Sequence, residues 1–385
     1  MGERVVVAAD KFKGSLTAAE VAVRVAAGLA RGGFDGEVAA LPVADGGDGT
    51  VAAALAAGFR PVELEVHGPA GATVTAAYAL RGETAVIEAA QACGLTLLPA
   101  GSLAPLTATS RGVGELILDA WRAGARQIVL GVGGVATTDG GAGLLQALGA
   151  RLTDESGREL PPGGGGLGRL AALDLAGLHE LTGLHGLPGA EFLLASDVDN
   201  PLLGPSGAAA VYGPQKGASP GEVRLLETGL RRWADIAEAA VRRPAAPPAR
   251  LAPGAGAAGG LGFAALLFLG ARMRPGIELL LELASFDARL DGARLVITGE
   301  GSLDAQTLHG KAPVGVARAA AGHHPAVPVV AVAGRCTLTA AQLRGAGIAR
   351  AYALTDLEPE LARCMADAGP LLERLAERIA ADWLV

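Results

Sequence analysis

The hydrophobic and polar positions at the start of the chain first follow a strand pattern and then a helical one. Residues 4–9, "RVVVAA", form an apolar run typical of a buried strand, and the apolar residues in 17–31 recur at helical spacing. Thr17 and Glu20 form a capping-box signature at the start of that helix. A second strand-like run, 37–43, leads through "ADGGDGT" into an alanine-rich helix. Two such strand–loop–helix units predict a parallel sheet that binds ligands at the carboxyl ends of its strands.

The pattern becomes strand-rich and alternating from residue 61, in "VELEVHGP", "TVTAAYAL" and "TAVIEAA". Later segments, "ARLVITGEGSLD", "AVPVVAVAGR" and "ARAYALTDL", return to short strands followed by helix or loop. We therefore predict an α/β fold in which both chain ends, 1–70 and 286–385, form a Rossmann-like parallel-sheet domain. A second α/β domain, 71–285, is inserted between them. Two Gly/Pro-rich stretches, 160–170 and 242–260, fit either interdomain linkers or ordered loops.

Composition narrows the class of protein. Half of the 385 residues are hydrophobic and 18% are charged, which indicates a folded globular chain. The net charge of −7 argues against a general nucleic-acid binder. Three widely separated cysteines without a CxxC spacing suggest neither a disulfide framework nor a zinc site. No signal peptide fits before the first strand, and the glycine-rich segment 251–271 predicts a buried loop and helix rather than a membrane span. We expect a cytoplasmic protein.

Five segments combine several glycines with one or two acidic residues, often directly after an apolar strand. They are residues 5–15, 43–50, 131–143, 193–217 and 295–313. Glycine lets backbone N–H groups approach phosphate oxygens, carboxylates hold Mg²⁺, and lysines neutralise phosphate charge. A tight turn after a strand explains any one of these segments alone. Five together favour a charged ligand bound with a metal ion.

The use of lysine supports this interpretation. Of 32 basic residues only four are lysine, and all four lie in the Gly/acid segments: Lys11, Lys13, Lys216 and Lys311. The remaining 28 (32 minus 4) are arginine, so lysine is retained where a compact charge on a flexible stem is needed. The only asparagine, Asn200, lies in the same class of segment. Chance survival of a few codons is the alternative.

Other kinds of nucleotide site and of catalytic site fit poorly. The chain has no GxxxxGK[ST] motif of a P-loop protein. Residues 254–259, "GAGAAG", match GxGxxG but follow a proline-rich stretch rather than a strand. No Ser-His-Asp arrangement is recognisable among the scattered histidines.

Several segments resemble the signature segments of bacterial glycerate kinases of the two-domain, non-P-loop type. They are "ADKFKGSLTAAEVA", "ADGGDGT", "DVDNPLLGPSGAAAVYGPQKGA", "PGAGAAGGLG" and "GEGSLDAQTLHGKAPVGVA", in this order from residue 8 to about residue 317. The chain departs from the pattern at Val135 and Thr138, where Ser and Asn are expected in many relatives. It departs again at Ser302-Leu303, where Arg-Ile is frequent. Every acidic residue is in place.

The resemblance implies ATP-dependent phosphorylation of D-glycerate, most often at the 2-hydroxyl, in a cleft between two α/β domains. ATP and D-glycerate would then be the small-molecule partners, with Mg²⁺ as cofactor and no nucleic acid or membrane. The assembly is left open between a monomer and a homodimer. The alternatives are phosphorylation at the 3-hydroxyl or of another small hydroxy acid, a nucleotide-dependent oxidoreductase, and a non-catalytic ligand sensor.

The candidate site residues come from the Gly/acid segments and one helix start. For catalysis they are Asp197, Asp199, Lys11 and Asp10, with Asp197 or Asp199 expected to lie closest to the chemistry. For binding of substrate or ATP they are Lys13, Ser15, Asp45, Asn200, Lys216, Lys311 and Arg111, and for the metal Asp48, Glu300 and Asp304. Arg111 fits a carboxylate-binding fork or a surface charge at a helix start equally well. The division between base and metal ligand is open.

Overall fold

Two compact α/β units make up the chain. The computed structural model describes residues 3–178, 189–241 and 247–385. The first unit comprises Met1–Asp45, Ala52–Gly58 and Pro275–Val385, and the second comprises Gly46–Val51 and Phe59–Arg274. The α/β class that the sequence predicts is confirmed.

Strands and helices alternate along most of the chain. Within the described residues, the strands in chain order are β1 Arg4–Ala9, β2 Glu37–Ala40, β3 Arg60–His67, β4 Thr73–Arg81, β5 Thr84–Glu88, β6 Gln127–Gly131, β7 Arg151–Thr153, β8 Ala172–Asp174, β9 Glu191–Ala195, β10 Arg272–Arg274, β11 Ala293–Leu303, β12 Val329–Cys336 and β13 Arg350–Ala353. The α-helices there are α1 Ala18–Arg31, α2 Thr50–Ala56, α3 Ala90–Cys93, α4 Arg111–Arg122, α5 Ala142–Ala147, α6 Ala208–Tyr212, α7 Pro220–Val241, α8 Ala257–Phe268, α9 Gly276–Leu283, α10 Phe286–Leu290, α11 Ala312–Gly322, α12 Ala340–Gly345, α13 Leu361–Ala366 and α14 Ala368–Trp383.

The first unit is built on a five-stranded parallel sheet. Its strand order is β13-β12-β11-β1-β2, so β1 from the start of the chain lies beside β11 from its last third. Both faces of the sheet are covered, because β1 contributes alternating residues to two separate apolar cores. A strand that is buried on both faces has apolar side chains at successive positions, which is why "RVVVAA" is apolar from Val5 to Ala9.

Helix α1 packs closely against α14 in the first unit. The predicted capping box is present at its start, since Thr17 accepts from the backbone N–H of Glu20 and Glu20 accepts from that of Thr17. Gly28 is one point of close approach between the two helices. A Cβ at this position would lie 2.6 Å from the Cβ of Ala376 and closer still to the carbonyl oxygen of Glu373. The glycine therefore fixes how near the two helices can come.

The second unit contains a mixed six-stranded sheet of order β10-β9-β6-β5-β4-β3. Strands β5, β6, β9 and β10 are parallel, and β3 and β4 add an antiparallel edge. A small antiparallel pair, β7–β8, lies outside this sheet. The unit has one large apolar core, centred on side chains such as Trp233 and Phe263.

The bounds of the units differ from those predicted for the domains. The predicted domains change at 70/71 and 285/286, whereas the compact units change at 58/59 and 274/275, and the second unit also includes Gly46–Val51. Strand β3 pairs along its length with β4, so it belongs to the second sheet. Helices α9 and α10 contribute to a core of the first unit. Strand β2 also ends at Ala40, three residues before the predicted end.

Both Gly/Pro-rich stretches are ordered where the structure describes them. Residues 164–169 form a buried 3₁₀-helix in the second unit. In the second stretch, 242–246 lie outside the described residues, and the remainder leads into α8. Helix α8 is almost wholly buried, which confirms the predicted glycine-rich loop and helix. No helix within the described ranges has both the length and the apolar character needed to cross a membrane.

Replacing Gly28 by Ala is expected to lower the free energy of unfolding by about 2 kcal/mol, because the added methyl group cannot fit between α1 and α14. Gly345 is the matched control, since it is also helical and a Cβ there would meet nothing within 4 Å. Gly345→Ala should leave stability unchanged or raise it slightly. Urea unfolding followed by circular dichroism compares the variants, and equal stability of the two would contradict the packing role of Gly28.

Candidate active site

Three carboxylates of the first unit gather at the carboxyl edge of its parallel sheet. Asp10 directly follows β1, and its backbone N–H donates to the carbonyl of Gly299 at 2.8 Å. Glu300 comes next along β11. Asp45 arrives on the other side of β1, where the N–H of Val43 donates to the carbonyl of Ala9 at 3.1 Å. Parallel pairing thus brings together acids that are up to 290 residues apart in sequence.

Asp10 is the most perturbed of these acids. Its pKa is raised from 3.8 to about 6, mainly by burial and to a smaller extent by the negative charges of Asp45 and Glu300. Lys11 opposes this effect with its backbone N–H, 2.6 Å from Oδ1, and with its ammonium group, 3.7 Å from the same atom. The carboxyl is therefore charged at neutral pH but takes up a proton more readily than an ordinary aspartate.

The loop that carries Lys11 and Lys13 is fixed by the residue between them. Phe12 is buried in the first unit's core and forms a short bridge with Leu16. Ser15 closes the same turn, because its hydroxyl donates to the carbonyl of Phe12 at 3.1 Å. With Phe12 held inside, Lys13 projects to the surface, and Lys11 remains partly exposed beside Asp10.

Glu300 belongs to a second network at the end of β11. It accepts the Thr307 hydroxyl at 2.5 Å and lies 3.7 Å from the ammonium of Lys311. Burial raises the pKa of Glu300, whereas Thr307 and Lys311 oppose that shift. Asp304 shapes the same turn by accepting the backbone N–H of Gln306 at 2.9 Å. The predicted residues Glu300, Asp304 and Lys311 are thus neighbours in space.

In the second unit, two exposed acids follow β9. Asp197 and Asp199 flank Val198, which packs against the apolar core and so leaves both acids at the surface. Asn200 uses both ends of its amide, accepting from the Tyr212 hydroxyl at 2.6 Å and donating to the Ser206 carbonyl at 2.8 Å. An aspartate could not make the second bond, because a carboxylate has no N–H to donate. The sole asparagine therefore holds the loop after β9 in shape.

Lys216 lies inside the second unit. Its side chain is buried, with 3% of the residue exposed, and its ammonium donates to the carbonyl of Thr137 at 2.6 Å. Burial lowers the pKa of Lys216 to about 8, while the negative charge of Asp139 acts in the opposite direction. The sequence predicts a cation that binds substrate or ATP at this position. The partner that the structure gives this lysine is the backbone of the loop after β6.

Asp139 is a buried acid that the sequence analysis did not select. It accepts four hydrogen bonds, from the backbone N–H and hydroxyl of Ser110 at 2.8 Å each and from the N–H groups of Gly141 and Gly143 at 3.0 and 3.3 Å. Burial raises its pKa, and these bonds counteract the rise. The signal was present in "ATTDGGAG", where an acid stands between two threonines and two glycines. Thr138, one of the departures from the family pattern, is fully buried there.

A buried glutamate organises the "ADGGDGT" loop. Glu88, at the end of β5, accepts the backbone N–H groups of Gly49 and Val51 at 3.1 Å each, at the start of α2. This arrangement satisfies donors that the helix itself cannot pair. Asp48, in the same loop, is exposed. Glu88 was not predicted as a functional residue, because a lone glutamate in a strand carries no local signal.

Arg111 forms an ion pair at the start of α4. Its Nε lies 3.3 Å from Oε1 of Glu115, one helical turn away, and its side chain is 42% exposed. This environment matches the surface-charge interpretation, and the carboxylate-binding role stays a prediction.

The predicted site residues fall into one set per unit. The first unit holds Asp10, Lys11, Lys13, Ser15, Asp45, Glu300, Asp304 and Lys311, and the second holds Asp48, Arg111, Asp197, Asp199, Asn200 and Lys216. Across the described ranges, no group of three or more His, Cys, Asp or Glu is arranged to hold a metal ion. Mg²⁺ is commonly held by one or two carboxylates together with substrate phosphates. The carboxylate oxygens of these residues are therefore ligands of the kind that Mg²⁺ prefers.

Asp10→Asn is expected to stabilise the protein at alkaline pH. Because the pKa of Asp10 is raised to about 6, the folded state keeps a proton that the unfolded chain has lost between pH 4 and 6. The free energy of unfolding of the natural protein therefore loses about 3 kcal/mol as pH rises through that range. Asparagine removes this loss, so the variant should gain stability over the natural protein at pH 8 and not at pH 4. Urea unfolding at both pH values measures this, and a difference that is the same at both would argue against it.

The chain is similar to known proteins along almost its whole length. The model of the glycerate kinase family matches residues 5–384. Glycerate kinase of Bacillus subtilis (strain 168) is 43% identical over 383 residues, covering 98% of this chain and 97% of the relative. Glycerate 2-kinase of Escherichia coli (strain K12) is 43% identical over 338 residues, covering 87% and 86%.

A solved structure shows that the likeness extends to the fold. It is a crystal structure of a protein from Salmonella typhimurium LT2, provisionally named glycerate kinase 2, with a TM-score of 0.82 and 40% identity over 99% of this chain and 98% of that one. A match of this extent in family model, sequence and structure leads to one conclusion: the chain belongs to the glycerate kinase family, a family of phosphotransferases.

Proposed function

We propose that this protein transfers the γ-phosphoryl group of ATP to D-glycerate, at the 2-hydroxyl. The observation that carries the proposal is the cluster of Asp10, Asp45 and Glu300 with Lys11 and Lys311 at the carboxyl edge of the first unit's sheet. In a member of the glycerate kinase family, such a cluster has the charges that phosphoryl transfer requires. A relative named glycerate 2-kinase supports the position of transfer.

Asp10 is the side chain that we favour as the base. A group that accepts a proton from the substrate hydroxyl works best when its pKa lies near the working pH, and burial raises the pKa of Asp10 to about 6. Asp197 and Asp199, expected from the sequence to lie closest to the chemistry, are both exposed. They remain the alternatives for this role.

Lysines supply the compensating positive charge. Lys11 stands beside Asp10 and would bind a phosphoryl oxygen as a point charge, while Lys311 is held by Glu300. Lys13, exposed on the same loop, is available for the substrate carboxylate or for ATP. Ser15 and Asn200 act by holding their loops.

The carboxylates of Glu300 and Asp304 in the first unit, and of Asp48 in the second, are the groups that we propose as ligands of Mg²⁺. Bound at carboxylates of either unit, the ion would neutralise negative charge on the phosphoryl oxygens. The cleft between the domains and the cytoplasmic location stay predictions from the sequence, and a homodimer stays one of the assemblies left open.

A nucleotide-dependent oxidoreductase fits less well. The GxGxxG match at 254–259 follows a 3₁₀-turn, Ala249–Leu251, rather than a strand. In addition, Ala258, Gly259 and Gly260 have positive φ, so they do not form the regular helix start that binds a pyrophosphate.

Phosphoryl transfer can be measured directly. Purified protein incubated with ATP, Mg²⁺ and D-glycerate should give a 2-phosphoglycerate signal in ³¹P NMR. A 3-phosphoglycerate signal would correct the position of transfer. If no small hydroxy acid is phosphorylated, the kinase function is wrong, and binding without turnover would identify a ligand sensor.

Lys11→Arg should lower kcat at least about tenfold without unfolding the protein, because a planar guanidinium keeps the charge but not the compact geometry beside Asp10. Lys11→Met serves as the matched control that removes the charge as well. Steady-state kinetics on both variants, with circular dichroism to check folding, separate charge from shape. Normal turnover by the arginine variant would show that any cation suffices.

A further inference from the structure

Two large apolar side chains are exposed together on the short helix α13 of the first unit. Leu361 is 49% exposed and Met365 is 45% exposed. They are four residues apart, so they lie on the same side of the helix and form one continuous apolar surface. Single exposed apolar residues are common, but an adjacent pair beside a candidate site calls for an explanation.

Helix α13 is anchored to the core beneath the lysine loop. Cys364, between the two exposed residues, is buried in the same apolar cluster as Phe12. Its thiol also donates to the carbonyl of Glu358 at 2.8 Å. Because Phe12 stands between Lys11 and Lys13, one cluster supports both the loop and the helix. The apolar surface is therefore held in a fixed position relative to the lysines.

The contact with the loop is direct at Gly14. The terminal methyl carbon of Met365 lies 3.1 Å from the place that a Cβ would occupy on Gly14. Gly14 has a φ of +82°, a conformation that favours glycine. The loop thus turns with its backbone against Met365, and Lys13 is the adjacent exposed cation.

We propose that Leu361 and Met365 form the subsite for the purine base of the nucleotide, next to the Lys11–Ser15 loop that faces its phosphates. The inference rests on the proposed ATP-dependent function. A nucleotide presents a charged polyphosphate at one end and a flat, largely apolar base at the other. A loop with two lysines beside an exposed Leu–Met surface offers both kinds of contact within one unit. Methionine suits this role, because its polarisable thioether packs well on aromatic rings.

A protein partner is a poorer occupant of this surface. Stable interfaces bury roughly 1,200–2,000 Å² in total, far more than two half-exposed side chains provide. A base of heterocyclic size matches such a small patch. The surface also lies against the loop of the candidate site, so that one ligand can contact both.

The test replaces both side chains by serine and measures nucleotide binding. The Leu361→Ser/Met365→Ser protein should bind ADP about five- to tenfold more weakly in isothermal titration calorimetry, with the KM for D-glycerate at saturating ATP unchanged. Met365→Leu, which keeps the apolar surface, should bind ADP as the natural protein does. Val23→Ser is the matched control, because Val23 is 66% exposed on α1 of the same unit and is not part of the proposed subsite.

The outcomes separate this subsite from the proposed function. If the natural protein binds ADP and phosphorylates D-glycerate but the double variant binds ADP equally well, the subsite is wrong and the kinase function stands. If the double variant loses ADP and D-glycerate binding alike, the change acts on the lysine loop as a whole and the base subsite is again overturned. If the natural protein binds no ADP, the proposed function and the subsite fail together.

Discussion

The hydrogen bonds that hold β1 between β11 and β2 are the interactions on which the first unit depends. They hold β1 inside the parallel sheet, where its side chains alternate between two apolar cores. They also place Asp10, Asp45 and Glu300 at one edge, where the charges repel each other and burial raises the pKa of Asp10. Lys11 and Lys311 offset part of this cost. Because this site concentrates negative charge, we expect it to bind a cation, or a ligand that carries a cation with it.

Local signals in the sequence were sufficient for the first strand and the first helix of the first unit. The bounds of β1 and the capping box of α1 are as predicted, because each depends on residues adjacent in the chain. The α/β class and the family also followed from the sequence, since long motifs combine strand, turn and acid in a fixed order. The same motifs also predicted that the candidate acids follow the ends of strands.

Features that depend on packing between distant segments were not predictable in the same way. The burial of Lys216 results from its contact with the backbone of Thr137, 79 residues away in sequence. Asp139 accepts from Ser110, 29 residues away in sequence, and Glu88 accepts from Gly49, 39 residues away. Strand β3 joined the second sheet because it pairs with β4, although its position before residue 70 suggested the first domain. In each case the partner, not the residue itself, determines the role.

The pairing of β1 with β11 also sets the order in which the protein can fold as it is made. Strand β1 leaves the ribosome at the beginning of synthesis, but its neighbour β11 begins only at Ala293. At 5–20 residues per second, roughly 15–60 s pass before its partner emerges. The contiguous stretch Phe59–Arg274 is complete earlier and can collapse first. During that interval, the amino-terminal segment of the growing chain, with its apolar strand, must be kept from associating with other exposed apolar segments.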